Sequence, residues 1–334
     1  MTLAEILQRA IARRGDLLAR LHAEGTDAYR LLHGIAEGAP GVTVDRYGSL
    51  LLVQTFREAL AANDLAPLRA VVVEQLGLDL PIVANHRGDG APGPAAAAPG
   101  CDADGDGDHV CRERGVRFAI RARHRGQDPW LFLDLRAGRR AIAARAAGKR
   151  VLNLFAYTCG VGVAAAVAGA EHVLNVDFAQ SALAVGERNA AANAVAAGRF
   201  AVLHADCIPV LRQLAGLPVQ RRGKHVPFVR VKRQPFDLIA LDPPRFAKGP
   251  FGTIDVVRDY PSLFKPCLLA LGDRGAVLAT NHVPSVTEGE WHDVLRRCAA
   301  KAGRPLRSLE PVPIEDDFPS FDGRPPLKIA WCEL

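Results

Sequence analysis

Leu3, Ile6, Leu7, Ala10, Ile11, Leu17, Leu18 and Leu21 recur at helical spacing, and Arg9, Arg13 and Arg20 fall on the opposite side. That pattern predicts an amphipathic helix with a basic outer face. "GVTVDRYGSLLLVQTF" holds two β-prone runs around Tyr47-Gly48 and predicts a hairpin. A helix over Leu65–Leu76 and a strand in "PIVANHR" complete a small α/β pattern. Residues 87–112 then lose all periodicity and are rich in Gly, Pro and Ala, the composition of a flexible linker. Beyond it Val116, Phe118 and Ile120 alternate with Arg117 and Arg121, as in a half-exposed strand.

From Arg150 the pattern becomes strand, helix, strand, helix. Strands are predicted at Val151–Leu154, His172–Val176, Ala201–Leu203, Phe236–Leu241 and Gly275–Thr280, with helices at Val161–Ala168, Ser181–Asn193, Ile208–Leu214 and Pro261–Leu271. Two late strands, Leu306–Leu309 and Leu327–Cys332, flank a Pro-rich loop. Alternating strands and helices predict right-handed crossovers and a doubly wound α/β sheet. The domain expectation is a small α/β domain over 1–86, a linker over 87–112 and a larger domain over 113–334.

Composition narrows the class. The 334 residues are 49% hydrophobic and 23% charged, ordinary for a globular protein. No apolar run approaches the roughly 18 residues of a membrane span, and the amino terminus is charged throughout, so a cytoplasmic protein without a membrane partner is expected. Seven scattered cysteines with no Cys-x-x-Cys pair read as reduced thiols and not as a zinc site. Asp102, Asp104, Asp106, Gly107 and Glu113 match the spacing of a calcium loop, but no helix flanks them, so an acidic linker is the better reading and no metal is expected. The residues say nothing of oligomeric state.

The chemistry concentrates in "VLNLFAYTCGVG", Val151 to Gly162. Gly160, Gly162 and Ala165 formally satisfy G-x-G-x-x-A, a weak match to a dinucleotide fingerprint. Asp177, ending the second strand, can hold ribose hydroxyls of either NAD or S-adenosylmethionine, since both carry adenosine. The local motif leaves the two open. "LDPPRF", Asp242 to Phe246, at the end of the fourth strand decides between them. Ligands in such sheets bind at the carboxyl ends of the strands. An Asp-Pro-Pro turn there presents a carboxylate and fixed carbonyls, and Phe246 offers a flat face to a base. Methyltransferases acting on bases commonly carry this element and dehydrogenases have no use for it. Asp206, just past the third strand, is placed to meet the adenine amino group or, alternatively, to cap a helix.

"TDAYRLLHGIAEGAPGVTVDRYG", "WLFLDLRAGRR", "VLNLFAYTCGVGVAAAVAGAEHVLNVD" and "LDPPRFAKG" together resemble, in order, the bacterial large-subunit ribosomal RNA methyltransferase family that includes the cytosine-C5 enzyme. The resemblance runs from about Tyr29 to the end. It implies a class I S-adenosylmethionine-dependent methyltransferase domain behind a small α/β domain, without the RNA-binding PUA module that often precedes them, and 23S rRNA as partner. It also implies donor contacts from Asn153, Phe155, Tyr157, Gly160, Gly162, Asp177 and Asp206, with Asp134 and Arg136 bordering the pocket, and a base positioned by Asp242, Pro243 and Phe246.

Two departures matter. Methylating C5 of a pyrimidine needs a thiolate that adds to the ring first, and the cytosine branch carries this cysteine just after the fifth strand. Here that place reads "LATNHVPS", with His282 about where the thiol should stand. Deleting a covalent nucleophile costs about a millionfold in a well-studied protease. The stretch looks more like the cysteine-free branch that resembles the guanine-N7 enzymes, where a ring nitrogen needs orientation and no covalent partner. Asn281 could then meet a base edge and His282 act as a hydrogen-bonding wall or a base; alternatively both only end a strand. In "LDLRAGRR", Leu135 and Ala137 replace the family's Gln and acid, while Asp134, Arg136 and Arg139 are kept.

Charge is unevenly spread. Between Cys207 and Phe236 stand Arg212, Arg221, Arg222, Lys224, Arg230, Lys232 and Arg233 with no acid, more than the whole formal excess of +6. This insertion is either a remote grip on RNA or a solvated segment; Arg245, Lys248, Arg121, Arg123 and Arg125 are better placed to guide RNA. The expected function is methylation of an rRNA base by direct transfer. The rivals are cytosine-C5 transfer with a displaced nucleophile, a non-catalytic RNA-binding relative, and a nicotinamide-dependent oxidoreductase.

Overall fold

The computed structural model describes residues 1–88, 107–123, 128–219, 228–249 and 252–334. The chain divides into two compact units, Met1–Asp134 with Glu315–Gly323, and Leu135–Ile314 with Arg324–Leu334.

The first unit opens with two helices where one was predicted. α1 (Leu3–Arg13) starts on a capping box between Thr2 and Glu5, and α2 (Gly15–Ala23) follows a break at Arg14. The break arises because Arg14 turns inward: its guanidinium donates to the Ala10 carbonyl, to both Glu37 oxygens at 2.6 and 2.9 Å, and to the Asp317 carbonyl. β1 (Ala28–His33), β2 (Val42–Tyr47) and β3 (Leu50–Thr55) run antiparallel, and α3 (Ala62–Leu76) crosses to β4 (Ile82–His86), parallel to β3. β2 and β3 are the predicted hairpin. Gly48 at its turn has φ +60°, and a Cβ there would lie 2.2 Å from the Val110 carbonyl oxygen, so only glycine fits.

Leu7, Ile11, Leu21, Leu68 and Val72 from the helices pack on Leu32, Val44, Leu51 and Val53 of one sheet face. The opposite face is buried but polar: Arg30 grips Asp45 with two bonds of 2.7 and 3.0 Å and lies 4.7 Å over the Phe318 ring. β5 (His109–Glu113) and β6 (Val116–Ile120) form a separate antiparallel pair, so the last residues of the predicted linker are strand. Residues 89–106, and with them Asp102, Asp104 and Asp106, lie outside the described residues.

The second unit runs α4 (Arg136–Ala143), β7 (Arg150–Leu154), α5 (Gly160–Val167), β8 (His172–Asp177), α6 (Gln180–Ala192), β9 (Phe200–His204), α7 (Cys207–Leu214) and β10 (Phe236–Leu241). A short hairpin follows, β11 (Phe246–Gly249) with β12 (Gly252–Asp255). Then come α8 (Val256–Ala270), β13 (Leu271–Asn281), α9 (Glu288–Lys301), β14 (Ser308–Pro311) and β15 (Lys328–Glu333). The sheet order is β14-β15-β13-β10-β7-β8-β9, with β15 antiparallel to both neighbours and the remaining pairs parallel. This is the predicted doubly wound α/β sheet, and the antiparallel β15 separates it from the all-parallel dinucleotide order.

Both faces are covered. Leu152, Ile239, Leu241 and Val277 meet Val210, Phe264, Leu268 and Trp291 on one side. Val151, Leu238, Ala240 and Leu278 meet Ile142, Val161 and Ala165 on the other. β7 and β10 are adjacent although two strands of the sheet, β8 and β9, separate them in sequence, which puts the switch point, and hence the cleft, at their carboxyl ends.

Replacing Asp45 by Ala leaves the Arg30 guanidinium buried without its carboxylate. A loss of about 3 kcal/mol of stability is expected, measured by urea denaturation; a loss below about 1 kcal/mol would mean that the pair is not structural.

Candidate active site

At the switch point the chain leaves β7 through five residues that bend back and forth. Phe155, Tyr157 and Cys159 all have left-handed backbone, with φ +56°, +50° and +61°. Each such turn costs a non-glycine residue about 1 kcal/mol or more. Neighbouring groups hold the conformation in place. The Phe155 N–H donates to Cys207 Sγ at 3.3 Å, and the Cys207 thiol donates to the Val176 carbonyl at 3.3 Å. The Tyr157 N–H donates to Asp177 Oδ2 at 2.8 Å, and the Cys159 N–H to the Ala156 carbonyl. Gly186 on α6 leaves room for Cys159, since a Cβ there would lie 2.4 Å from its sulfur. Both thiols are buried, which pushes them well above the ordinary cysteine range; they serve as packing and hydrogen-bonding groups, not nucleophiles.

Among the residues assigned to the donor, Asp177 stands at the end of β8, with Oδ1 on the Ala179 N–H at 2.8 Å. Its two oxygens thus carry one backbone bond each and keep lone pairs for hydroxyls. Asp206 caps α7, as the alternative reading allowed: Oδ1 accepts from the Ile208 N–H at 2.8 Å. Burial pushes its carboxyl up, and that hydrogen bond opposes the shift. Oδ2 makes no hydrogen bond among the described residues.

Two residues expected at the donor have partners within the sheet. Asn153 is buried and donates to Asn175 Oδ1 at 2.9 Å, tying β7 to β8. Gly162 is bare because a Cβ would sit 1.9 Å from that same Asn175 oxygen, so the missing side chain lets α5 close onto the sheet. Gly160 begins α5, whose first N–H groups have no carbonyl one turn back. Arg136 is buried at the start of α4. Asp134 closes the first unit, where its charge acts on Arg30.

The fourth strand delivers Asp242 one residue past β10. Oδ1 accepts from His282 Nε2 at 2.7 Å and from the Thr280 hydroxyl. Burial alone would raise this carboxyl. The charge of His282, hydrogen bonds from His282 and Thr280, and the charge of Arg139 on α4 together outweigh it and hold Asp242 below the usual carboxylate range. Its side chain remains 20% exposed. Pro243 is buried. Phe246 is 53% exposed, with the Arg245 guanidinium 5.3 Å over its ring.

Asn281 is 1% exposed, and its Oδ1 accepts from the Val283 N–H at 2.8 Å, the arrangement expected of the alternative in which it ends β13. Thr280 and Arg139 were not singled out for the site. Arg136 and Arg139, one turn apart in "LDLRAGRR", gave a legible sign of a buried basic helix face; nothing marked Thr280. Arg230, Lys232 and Arg233 are exposed ahead of the amino end of β10, whereas Arg221, Arg222, Lys224 and Arg125 lie outside the described residues. Arg123 is buried, and Arg121 pairs with Asp108.

The profile of the S-adenosylmethionine-dependent methyltransferases matches residues 29–331. The chain belongs to this family. The methyltransferase is 30% identical over 322 residues to a ribosomal RNA large subunit methyltransferase of Deinococcus radiodurans, covering 91% of this chain and 71% of that one. It is 28% identical to the ribosomal RNA large subunit methyltransferase I of Aeromonas hydrophila, covering 94% and 75%. The fold is shared with a structure described as a methyltransferase complexed with SAH (TM-score 0.77, 22% identity, 99% of this chain and 80% of that one). It is also shared with the SAM-dependent methyltransferase from Agrobacterium tumefaciens (TM-score 0.63, 17% identity, 92% and 90%).

S-adenosylmethionine is therefore the cofactor, and the residues present fit it. Asp177 keeps lone pairs for hydroxyls, and Asp206 Oδ2 is open to an amino group. Among the described residues no group of His, Cys, Asp and Glu can hold a metal, and no helix is long and apolar enough to cross a membrane.

Asp177→Ala removes an acceptor and unpins Tyr157 together. Calorimetry with S-adenosylmethionine should show affinity at least about tenfold weaker; an unchanged Kd would take Asp177 out of the donor site. Gly162→Ala should cost about 2 kcal/mol of stability through its clash with Asn175, and a protein that melts like wild type would show that α5 has room to shift.

Proposed function

We propose that this methyltransferase modifies a base of 23S rRNA by direct transfer, with a guanine ring nitrogen of the N7 type as acceptor. The observation that carries the proposal is the Asp242–His282 pair. The position after β13 where the cytosine enzymes keep their thiol is held by an imidazole bonded to a carboxylate at 2.7 Å. The six described cysteines are all buried. Among the described residues no thiol is therefore placed to add to a pyrimidine ring. The names of the relatives support rRNA as substrate.

The bound donor supplies an electrophilic methyl group. The chain's residues supply alignment and a field. Asp177 and Asp206 hold the adenosine end, and the pinned turn from Phe155 to Cys159 shapes the space beside it. A ring nitrogen that accepts a methyl group becomes cationic, and the carboxylate of Asp242, held below the usual range by His282, Thr280 and Arg139 against its burial, would stabilise that change. Phe246 offers its exposed ring to a base drawn out of its stack.

Mass spectrometry of rRNA nucleosides from cells with and without the gene tests this. One N7-methylguanosine of 23S rRNA should vanish with the gene and return with wild-type enzyme, and Asp242→Ala should restore about a hundredth or less of the rate. Loss of 5-methylcytidine would overturn the ring-nitrogen assignment. Binding of RNA without methyl transfer would mark a non-catalytic relative.

A further inference from the structure

We propose that Lys328 is a positioning residue for the acceptor side of the active site: its ammonium locks the peptide that follows His282 and so fixes the imidazole on Asp242. The proposal rests on the reading of Asp242 and His282 given above.

Lys328 is the first residue of β15, paired across the sheet with Asn281, the last of β13. It is 5% exposed, and its Nζ donates to the Val283 carbonyl at 2.9 Å and to the Pro326 carbonyl at 3.2 Å. Among the described residues no carboxylate comes within ion-pair distance of it. Burial pulls the ammonium below the ordinary lysine range, and the charge of Glu288 at the start of α9 opposes the shift. An apolar side chain of the same length would fill this place without the desolvation cost. What a lysine adds there is its grip on two carbonyls.

The grip completes a set. The Thr280 carbonyl accepts from the Tyr260 hydroxyl at 2.8 Å, the Val283 N–H is taken by Asn281, and the Val283 carbonyl accepts from Lys328 and, within its own turn, from the Val286 N–H at 3.2 Å. Backbone on both sides of His282 is thereby tied to β13, α8 and β15. The side chains of Thr280 and His282 can then converge on one oxygen of Asp242. Freed from Lys328, the Val283 carbonyl keeps only the Val286 N–H of its own turn, which ties it to no other element, and the turn can swing the imidazole away. Asp242 would keep Thr280 and, from α4, Arg139, but lose the charge and the hydrogen bond that best offset its burial. Its carboxyl would then protonate at higher pH.

The test compares wild type with Lys328→Met and Lys328→Arg. Four readouts serve: rRNA methylation rates against pH, calorimetric affinity for S-adenosylmethionine, thermal melting, and the imidazole 15N resonances of His282 in donor-free protein. Lys328→Met should lower kcat about tenfold with donor Kd within about twofold, move the acid limb of the rate profile to higher pH, and shift the His282 resonances. Lys328→Arg should recover part of each. Unmoved resonances and an unmoved acid limb, with any loss of rate matched by loss of folded protein, would overturn the proposal. If wild-type enzyme methylates no rRNA, the functional reading fails, and the resonances still judge Lys328.

Discussion

The strained turn between β7 and α5 is the constraint around which the donor half of the molecule is organised. Three left-handed residues alternate there, at Phe155, Tyr157 and Cys159, and such backbone persists only where its surroundings over-determine it. Asp177 supplies one of the holds and Cys207 another. The carboxylate that marks the second strand and the thiol that opens α7 therefore act on the first strand's loop before they act on anything bound. Because of this, the ends of β7, β8 and β9 form one rigid rim.

The acceptor half is built on the opposite principle. It has little backbone strain and a dense arrangement of polar side chains. Asp242 is surrounded by groups that favour its charge, and the segment from Thr280 to Val283 is held at successive backbone atoms. A carboxylate prepared in this way needs no reorganisation when charge changes beside it, the condition in which preorganised dipoles lower a barrier most.

Most of the second unit was legible in the chain. Apolar runs such as Val151–Leu154 and Phe236–Leu241 are buried on both faces, and the turn residues after them are hard to misread. The misses have physical causes. β1 lies between two buried faces, so its alternation is lost. α8 was predicted only from Pro261 but starts at Val256, because Pro261 reads as a helix start and here sits inside a helix stabilised by packing. α9 carried a legible capping box, Thr287 with Glu290, that was passed over. Within the site, a polar residue at a strand end shows its presence but not its direction. Asn153 and Asn281 were expected to meet donor and base, with strand-ending as the alternative for Asn281, and the structure shows their partners within the protein, Asn175 and the Val283 N–H. Whether a group near a cleft faces neighbour or solvent is decided by register, which one sequence does not print.

The segment Glu315–Gly323 belongs with the amino-terminal unit. Its Asp317 accepts from the Arg30 N–H at 3.0 Å and receives Arg14 through its carbonyl, while Phe318 lies under the Arg30 guanidinium. Residues 1–134 thus lack part of their own structure until the segment 315–323, made much later, has been added. Their completion waits for the synthesis of Leu135–Ile314, so in biosynthesis the two units are not independent beads folding in order, and a chain cut short before Glu315 would leave this unit unfinished.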